Sequence, residues 1–354
     1  MTNDLFYHGT SFQLGNPVYV TYMCQGQRGR GKTTYWLAEA AQYPIKDWIE
    51  NHETNRKFIF IRRSEEQLKL VMKQGLFNGV LSVPQYREKL HGYTIPLIAK
   101  DCIYLQHEEN EKDMVHIGYY YDLNNTKGIS IEDTWCTIFD EYVEPDRGKY
   151  KGGNNGVDEP ELLARLDETL NRNRTNYMVL LGNFDAPTNP YNEYFSIPFG
   201  AQKFTNKESG LFYEVDYSEA MKEFKENTST GRRWKGTRYS EYSNGNVALG
   251  RVDDNLICPK PAHAKHTYNC IICGINITIW FDETTGVCYV HDDYKFDKQK
   301  PILSVLTSDM QVNSYFVSYC QDFLTLFKAR YAYGKVRFNN QKSASLFQLM
   351  IKLK

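Results

Sequence analysis

No run of about 18 consecutive apolar residues occurs in the 354-residue chain, so a membrane-spanning helix is not expected. Met1 to Asp4 are neither basic nor followed by an apolar stretch, and we therefore expect no secretory signal. Neither sign of charge is in excess, because 42 basic residues face 43 acidic ones. We expect no bulk electrostatic attraction to nucleic acid, so any contact with a polyanion has to come from a local patch.

The chain also lacks internal repeats and low-complexity tracts. Its eight cysteines lie in a long chain for which we expect no export, and we interpret them as reduced thiols rather than as a disulfide framework. Hydrophobic residues make up 41% of the chain and aromatic residues 14%, which is ample for a folded core. The length predicts two domains.

The first half alternates short apolar strands with helical segments, which predicts a mainly parallel sheet covered by helices on both faces, an α/β fold. The alternation ends near 186–250, where Pro187, Pro190 and Pro198 precede a charged and Gly-rich stretch. We therefore predict a nucleotide-binding domain over 1–200, a linker over 201–250 and a smaller α+β domain over 251–354.

In the second half, we predict one long strand over 269–281, a turn over 282–286 and a second strand over 287–291. Helices are expected over 314–333 and 343–353. Residues 295–354 carry ten basic and three acidic side chains. This basic tail indicates either a nucleic-acid contact or an ordinary solvated face.

Residues 26–33 fit the P-loop pattern G-x-x-x-x-G-K-[ST] in full, between a predicted strand and a predicted helix. The glycines let the backbone N–H groups surround phosphate, and the helix N-terminus favours an anion. Lys32 would contact the β- and γ-phosphates, and the Thr33 hydroxyl would bind Mg²⁺. We expect ATP and Mg²⁺ at the following residues: Gly26, Gln27, Arg28, Gly29, Arg30, Gly31, Lys32, Thr33 and Thr34.

A second motif, Ile138-Phe139-Asp140-Glu141, places two acids at the end of a short apolar strand. In open α/β sheets ligands bind at this edge. Asp140 would hold Mg²⁺, and Glu141 would act as the general base that activates water. This pair of acids points to an ATP-hydrolysing motor enzyme. The guanine signature Asn-Lys-x-Asp is not fulfilled at Asn206-Lys207.

Several polar residues near these motifs have both a functional and an ordinary interpretation. Arg172 and Arg174 could stabilise phosphoryl charge, in this subunit or a neighbour, or could cap a helix. Asn183 could hydrogen-bond the attacking water or form a turn. Arg62 could pair with Glu141 or be a surface charge. The loop 144–158 could contact DNA phosphates or be an ordinary surface loop; its DNA-contact candidates are Arg147, Lys149 and Lys151.

Two further clusters suggest metal chemistry only weakly. One has loose zinc-like spacing and consists of Cys258, His263, His266, Cys270 and Cys273. Cys270 and Cys273 fall in a predicted strand, however, where residues three apart face opposite sides. The other has acids at strand ends, as a two-metal nuclease requires, and consists of Asp282, Glu283, Asp292 and Asp293. Turn formation is the simpler interpretation of those acids.

With these motifs in place, the chain resembles the DNA-packaging ATPases of phi29-like tailed phages over nearly its whole length. The Arg-Asn-Arg at 172–174 and the Gly-Lys-Val-Arg-Phe-Asn-Asn-Gln at 334–341 are the most specific matches. The others are Leu5-Phe6-Tyr7, the Arg-containing P-loop, Phe58 to Arg63, Thr137 to Glu141 and Leu181-Gly182-Asn183.

The resemblance implies a homopentameric ring at the portal vertex of an empty procapsid, which hydrolyses ATP to move double-stranded DNA inward. It implies an ATPase domain of the additional-strand, catalytic-glutamate class. It also implies an RNase H-like domain without nuclease activity, which docks in part through a structural packaging RNA. By matching position, Arg172 would be an arginine finger acting in trans and Arg62 the switch partner of Glu141. We expect the protein in the bacterial host cytoplasm and transiently on the procapsid, and not in the mature virion.

The resemblance departs in two places. At the position where the resemblance would place a lysine that faces DNA, this chain has Glu65. The loop 144–158 differs in length from the family pattern and is richer in glycine. Three alternatives remain open: a large terminase with an active nuclease domain, a ring helicase or translocase, and an inert P-loop fold that carries an RNA-docking module.

Overall fold

The computed structural model describes a chain that forms two compact units. The described residues are 5–9, 12–125, 131, 133–143, 151–152, 157–171, 175–183, 189–198, 200–237, 240, 254–305 and 309–352. The first unit consists of Met1–Ile197 and Ala201–Val247, and the second of Pro198–Gly200 and Ala248–Lys354. Within the described residues, no helix is long and apolar enough to cross a membrane.

The first unit is built on a large sheet flanked by helices. Its strands are β1 (Thr21–Gly26), β2 (Lys57–Arg62), β3 (Tyr93–Ala99), β4 (Cys102–His107), β5 (Asn110–Asp122), β6 (Thr134–Asp140), β7 (Lys151–Gly152), β8 (Val157–Asp158), β9 (Tyr177–Asn183), β10 (Lys203–Asn206) and β11 (Leu211–Asp216). Its helices are α1 (Lys32–Asn51), α2 (Glu65–Gln74), α3 (Asn78–Ser82), α4 (Pro84–Glu88), α5 (Glu159–Leu170), α6 (Pro190–Tyr194), α7 (Glu219–Asn227) and α8 (Ser229–Trp234).

Nine of these strands form one sheet in the order β10-β11-β1-β9-β6-β2-β5-β4-β3. The six strands from β11 to β5 run parallel, and the outer strands β10, β4 and β3 pair antiparallel. Strand β9 therefore lies between the P-loop strand β1 and the acid-bearing strand β6. The parallel core brings the carboxyl ends of β1, β9, β6 and β2 to one edge, where ligands bind in such sheets.

Helices cover both faces of this sheet, as the alternating sequence predicts. Successive residues of one strand face opposite sides, so Phe60 joins one core and Ile59 and Ile61 join the other. Buried residues of α1 to α4 pack on the first face. Buried residues of α5 and α6, among them Leu163 and Tyr191, pack on the second.

The second unit is a smaller mixed sheet with helices packed on it. Its strands are β12 (Lys265–Ile272), β13 (Ile275–Asp282), β14 (Val287–His291), β15 (Ile302–Ser304), β16 (Ser314–Phe316) and β17 (Val336–Phe338), and its helices are α9 (Gln321–Ala332) and α10 (Gln341–Lys352). The strand order is β16-β15-β12-β13-β14-β17. Strands β12 to β14 form an antiparallel meander, and the other pairings are parallel. Phe327 and Phe347 of the two helices share one core with the strands.

Three predicted segments differ from the structure. Much of the predicted linker 201–250 belongs to the first unit, because β11 pairs in parallel with β1. The predicted strand 269–281 is a hairpin: Cys273 and Gly274 have positive φ angles of 53° and 73° and turn the chain between β12 and β13. The predicted helix over 314–333 begins at Gln321, after the short strand β16 and a 3-10 turn.

Asp282, the last residue of β13, stabilises the turn that follows this strand in the second unit. It accepts hydrogen bonds from the Thr285 hydroxyl at 2.6 Å and the Thr284 N–H at 2.9 Å, and these lower the pKa of Asp282 to about 2. Because the unfolded pKa is near ~3.9, the carboxylate stabilises the fold above that pH, and its contribution is lost as the pH falls through its folded pKa.

We expect Asp282→Asn to lower the urea midpoint of unfolding at pH 7, with a deficit that shrinks as the pH approaches about 2. The control is Glu283→Gln, which alters an exposed ion pair with Lys265 and should change the midpoint little. A deficit of the same size at neutral and acid pH would contradict this role for the Asp282 charge.

Candidate functional site

The loop between β1 and α1 has the backbone that a phosphate-binding loop requires. Gly29 and Gly31 have φ angles of 77° and 88°, which favour glycine. A Cβ atom on either residue would meet no heavy atom within 4 Å, so the space beside the loop is open. Gly26 is required for another reason, because its Cβ would lie 2.4 Å from the carbonyl oxygen of Asp216.

Lys32 and Thr33 follow the loop as the first residues of α1. The Lys32 side chain is buried, and its ammonium donates to the Gln27 carbonyl at 2.8 Å. Burial lowers the pKa of Lys32, against the raising influence of Cys24, Asp216 and Asp140. The Thr33 hydroxyl donates to Asp140 Oδ1 at 2.9 Å. The two predicted magnesium ligands are therefore already in contact.

Asp140 and Glu141 lie at the end of β6, and both carboxylates bind one guanidinium. Arg62, the last residue of β2, contacts Asp140 Oδ2 and Glu141 Oε2 at 2.6 Å each. The side chains of Arg62 and Asp140 are buried, whereas that of Glu141 is 43% exposed. Burial raises the pKa of Asp140, and the Arg62 charge opposes that shift. The pairing of Arg62 with Glu141 is present as predicted, and the contact with Asp140 adds to it.

These residues surround one cavity at the carboxyl edge of the sheet. Asn183 ends β9 opposite Gly26 in the strand register, so it faces the cavity beside the loop. Thr34 lies on the α1 side of the same cavity. The full lining is Arg28, Gly29, Arg30, Gly31, Lys32, Thr33, Thr34, Arg62, Asp140, Glu141, Gly182 and Asn183.

The donor set fits a magnesium-bound nucleoside triphosphate. Open backbone at Gly29 and Gly31, the N-terminus of α1 and the Lys32 ammonium can bind phosphate oxygens. The adjoining Thr33 hydroxyl and Asp140 carboxylate are oxygen ligands of the kind that Mg²⁺ prefers. The more exposed carboxylate of Glu141 borders the same cavity and can accept a proton from water.

Some predicted site residues cannot be placed. Arg172, Arg174, Arg147 and Lys149 lie outside the described residues. Lys151 is described by its backbone alone, at the start of β7. Their predicted roles at a subunit interface and on DNA therefore stay predictions.

Residues of β11 and the segment after it support the P-loop, and they are not among the predicted site residues. Asp216, the last residue of β11, binds the Arg30 guanidinium through both carboxylate oxygens at 2.8–3.1 Å. Both side chains are buried. The Gln27 side chain accepts from the Ser218 N–H at 2.8 Å. An apolar strand that ends in an acid, Leu211 to Asp216, is the same signal that identified Asp140.

A further cation, Lys225 on α7, lies near the same loop. Burial, together with the nearby charges of Lys32, Arg28 and Arg30, lowers the pKa of Lys225 to about 8. A group of like charges of this kind is stabilised by a bound polyanion.

The acids predicted at the strand ends of the second unit take part in turn, side-chain and surface contacts. Asp282 holds the turn after β13 and contacts His263 at 3.2 Å. Asp292 accepts from the side-chain amides of Asn339 and Asn340, each at 2.8 Å, so the Asn-Asn of 334–341 ties β14 to the start of α10. Glu283 pairs with Lys265 on the surface.

The cysteines with zinc-like spacing diverge in the second unit. Cys270 lies in the core of this unit, whereas Cys273 lies at the hairpin turn. Within the described residues, no three His, Cys, Asp or Glu side chains are grouped to hold a metal ion.

Comparison with known proteins gives one family match and several similar folds. A family model described as podovirus DNA encapsidation protein (Gp16) matches residues 1–354. The structure is similar to a chain of the bacteriophage Phi-29 viral genome packaging motor assembly, with a TM-score of 0.54, 19% identity and coverage of 98% of this chain and 99% of that chain. It is also similar to a chain of the Phi-28 gp11 DNA packaging motor, with a TM-score of 0.53, 14% identity and 95% coverage of both chains. These two likenesses show a common fold. No curated protein matches the chain.

The Arg30–Asp216 pair yields a prediction for nucleotide binding. Asp216→Asn leaves the buried Arg30 guanidinium without its carboxylate, which is costly, and the loop has to shift. We expect the dissociation constant of a fluorescent ATP analogue to rise about tenfold or more, which corresponds to about 1.4 kcal/mol.

The control is Glu219→Gln on the first turn of α7, whose exposed carboxylate pairs with Lys222. This variant should bind the analogue as the native chain does. Unchanged affinity in folded Asp216→Asn would show that the P-loop does not depend on β11.

Proposed function

The chain belongs to the podovirus DNA encapsidation protein family, and from this membership we propose that it is the ATP-hydrolysing subunit of a motor that moves double-stranded DNA into a procapsid. One observation carries the proposal. The P-loop, Asp140 and Glu141 meet in one cavity, and together they provide phosphate binding, metal binding and a base.

The chain's own residues divide the work of hydrolysis. Bound MgATP supplies the phosphoanhydride bond that water cleaves. Lys32 and the N–H groups of the loop would bind and orient phosphate, Thr33 and Asp140 would hold the metal, and Asn183 would orient water. Glu141 accepts the proton of the attacking water at a carboxylate oxygen.

Arg62 would regulate the base. Its contact with Glu141 Oε2 at 2.6 Å holds one of the two carboxylate oxygens and orients the side chain. Arg62 would act as the switch partner of Glu141 by forming or releasing this ion pair. The high exposure of Glu141 relative to Arg62 supports a side chain that can turn toward water.

Arg172 and the segment after β6 would couple the subunits to one another and to DNA. Arg172 would act as an arginine finger in the site of a neighbouring subunit of a homopentameric ring, with Arg174 beside it. Residues of 144–158, namely Arg147, Lys149 and Lys151, would contact DNA phosphates in the pore. The family membership and the position of this segment directly after β6 support these roles.

The second unit would dock the motor on the portal or on a structural packaging RNA. Its meander β12–β14, extended by the parallel strands β15 and β16, supports an RNase H-like fold. The turn contacts of Asp282 and the side-chain contacts of Asp292 support docking rather than nuclease chemistry. We propose that the protein works in the bacterial host cytoplasm, transiently on the procapsid.

ATP turnover at several protein concentrations, with and without double-stranded DNA, tests the proposal. We expect specific activity to rise with concentration and with DNA. Glu141→Gln should lower turnover by about a hundredfold or more while nucleotide still binds, since a positioned general base contributes about 10²–10⁴-fold. Turnover that survives in Glu141→Gln would show that another group is the base.

The trans role of Arg172 is tested by mixing two inactive variants. Arg172→Ala retains Glu141, and Glu141→Gln retains Arg172, so mixed rings contain some sites with both groups. We expect the mixture to recover part of the activity that each variant lacks. If no ratio of the two restores turnover, Arg172 does not act across the interface.

A further inference from the structure

Arg63, the residue after β2, contacts the chain on both sides of the segment 144–158. Its Nη2 donates to the Tyr142 carbonyl at 2.9 Å. Its Nε and Nη2 bind the two carboxylate oxygens of Glu159 at 2.5 and 3.0 Å. Glu159 is the first residue of α5, so one guanidinium joins the end of the catalytic strand to the start of a helix.

This contact is a buried, hydrogen-bonded network. Arg63 is 7% exposed, Glu159 2% and Tyr191 0%. The Tyr191 hydroxyl donates to Glu159 Oε1 at 2.8 Å, and its ring packs edge-on against Tyr142. A buried ion pair is a weak source of stability compared with apolar side chains of similar volume. A role in specifying geometry is therefore a natural interpretation.

The network lies next to a strained backbone position, that of Glu141. Its φ angle is 62°, in the left-handed region where side chains other than glycine are strained, and such residues persist only when their surroundings hold them. The next residue, Tyr142, is held at both polar groups: its N–H donates to the Leu181 carbonyl at 3.1 Å, and its carbonyl accepts from Arg63.

We propose that Arg63, Glu159 and Tyr191 form a positioning unit that maintains the left-handed backbone of Glu141 and so aims its carboxylate into the cavity. This inference rests on the proposed hydrolytic function. It differs from the role of Arg62, which contacts the Glu141 carboxylate itself. Among the described residues, the lining of the cavity does not include Arg63, Glu159 or Tyr191, so their loss should affect catalysis rather than binding.

Glu159→Gln is the principal variant, because it keeps the size of the side chain and removes the charge that binds Arg63. We expect kcat for ATP to fall about tenfold or more, since small displacements of a catalytic group are costly. The dissociation constant for ATP should stay within about twofold, because an interaction made only in the transition state affects kcat alone. Tyr191→Phe should give a smaller fall in kcat with the same unchanged affinity.

The matched control is Asp47→Asn, which also converts a carboxylate paired with an arginine into an amide. Asp47 binds Arg56 Nε at 3.0 and 3.1 Å, next to the opposite end of β2. We expect this variant to lose stability in urea while its kcat stays within about twofold of native.

Each result decides the inference. Native kcat in folded Glu159→Gln would overturn it, as would an equal fall in kcat in Asp47→Asn. Should Glu159→Gln not fold, Tyr191→Phe decides: lowered kcat at native affinity supports the unit, and native kcat overturns it. If the native chain hydrolyses no ATP, the proposed function fails and the inference with it. If the native chain hydrolyses ATP and the variants keep its kcat, the positioning role alone is overturned.

Discussion

The contact of Arg62 with two adjacent carboxylates is the interaction on which the site depends. Asp140 and Glu141 would repel each other at the edge of a buried sheet, and one guanidinium that reaches both at 2.6 Å offsets part of that repulsion. The contact exists because β2 and β6 pair in parallel with Ile61 opposite Phe139. A slip by one residue in this register would reverse the faces of the strand and separate the arginine from both acids.

The P-loop depends on a strand that comes almost 190 residues later in the chain. Arg30 is bound by Asp216 from β11, and Gly26 lies so close to the Asp216 carbonyl that only glycine fits. A loop rich in glycine is entropically costly to order, and contacts from a neighbouring strand lower that cost before nucleotide binds. The nucleotide-binding unit therefore needs residues far beyond the predicted boundary at 200.

Much of the site could be predicted from sequence, because its signals are local. The P-loop and Asp140-Glu141 are short motifs, and Arg62 follows an apolar strand directly. The long-range pair Arg63–Glu159 leaves no local signal, since each partner alone is typical of a surface charge. Asp216 ends a largely apolar strand as Asp140 does, but nothing local indicates that its partner is Arg30. The hairpin at Cys273-Gly274 was missed because the apolar pattern continues through the turn and a cysteine occupies a left-handed position that usually favours glycine or asparagine.

The residue at 141 shows how function and stability conflict in this fold. A left-handed position at the end of a strand would be filled most favourably by glycine, yet a glutamate stands there with a φ angle of 62°. The conformation turns the chain immediately after Asp140, so that consecutive carboxylates can reach one guanidinium and one cavity. Two consecutive arginines, Arg62 at the end of β2 and Arg63 directly after it, stabilise that turn. Arg62 binds the side chain of Glu141, and Arg63 binds the backbone of Tyr142 that follows it. The strain is thus tolerated because the neighbouring strand holds both the charge and the backbone of the turn.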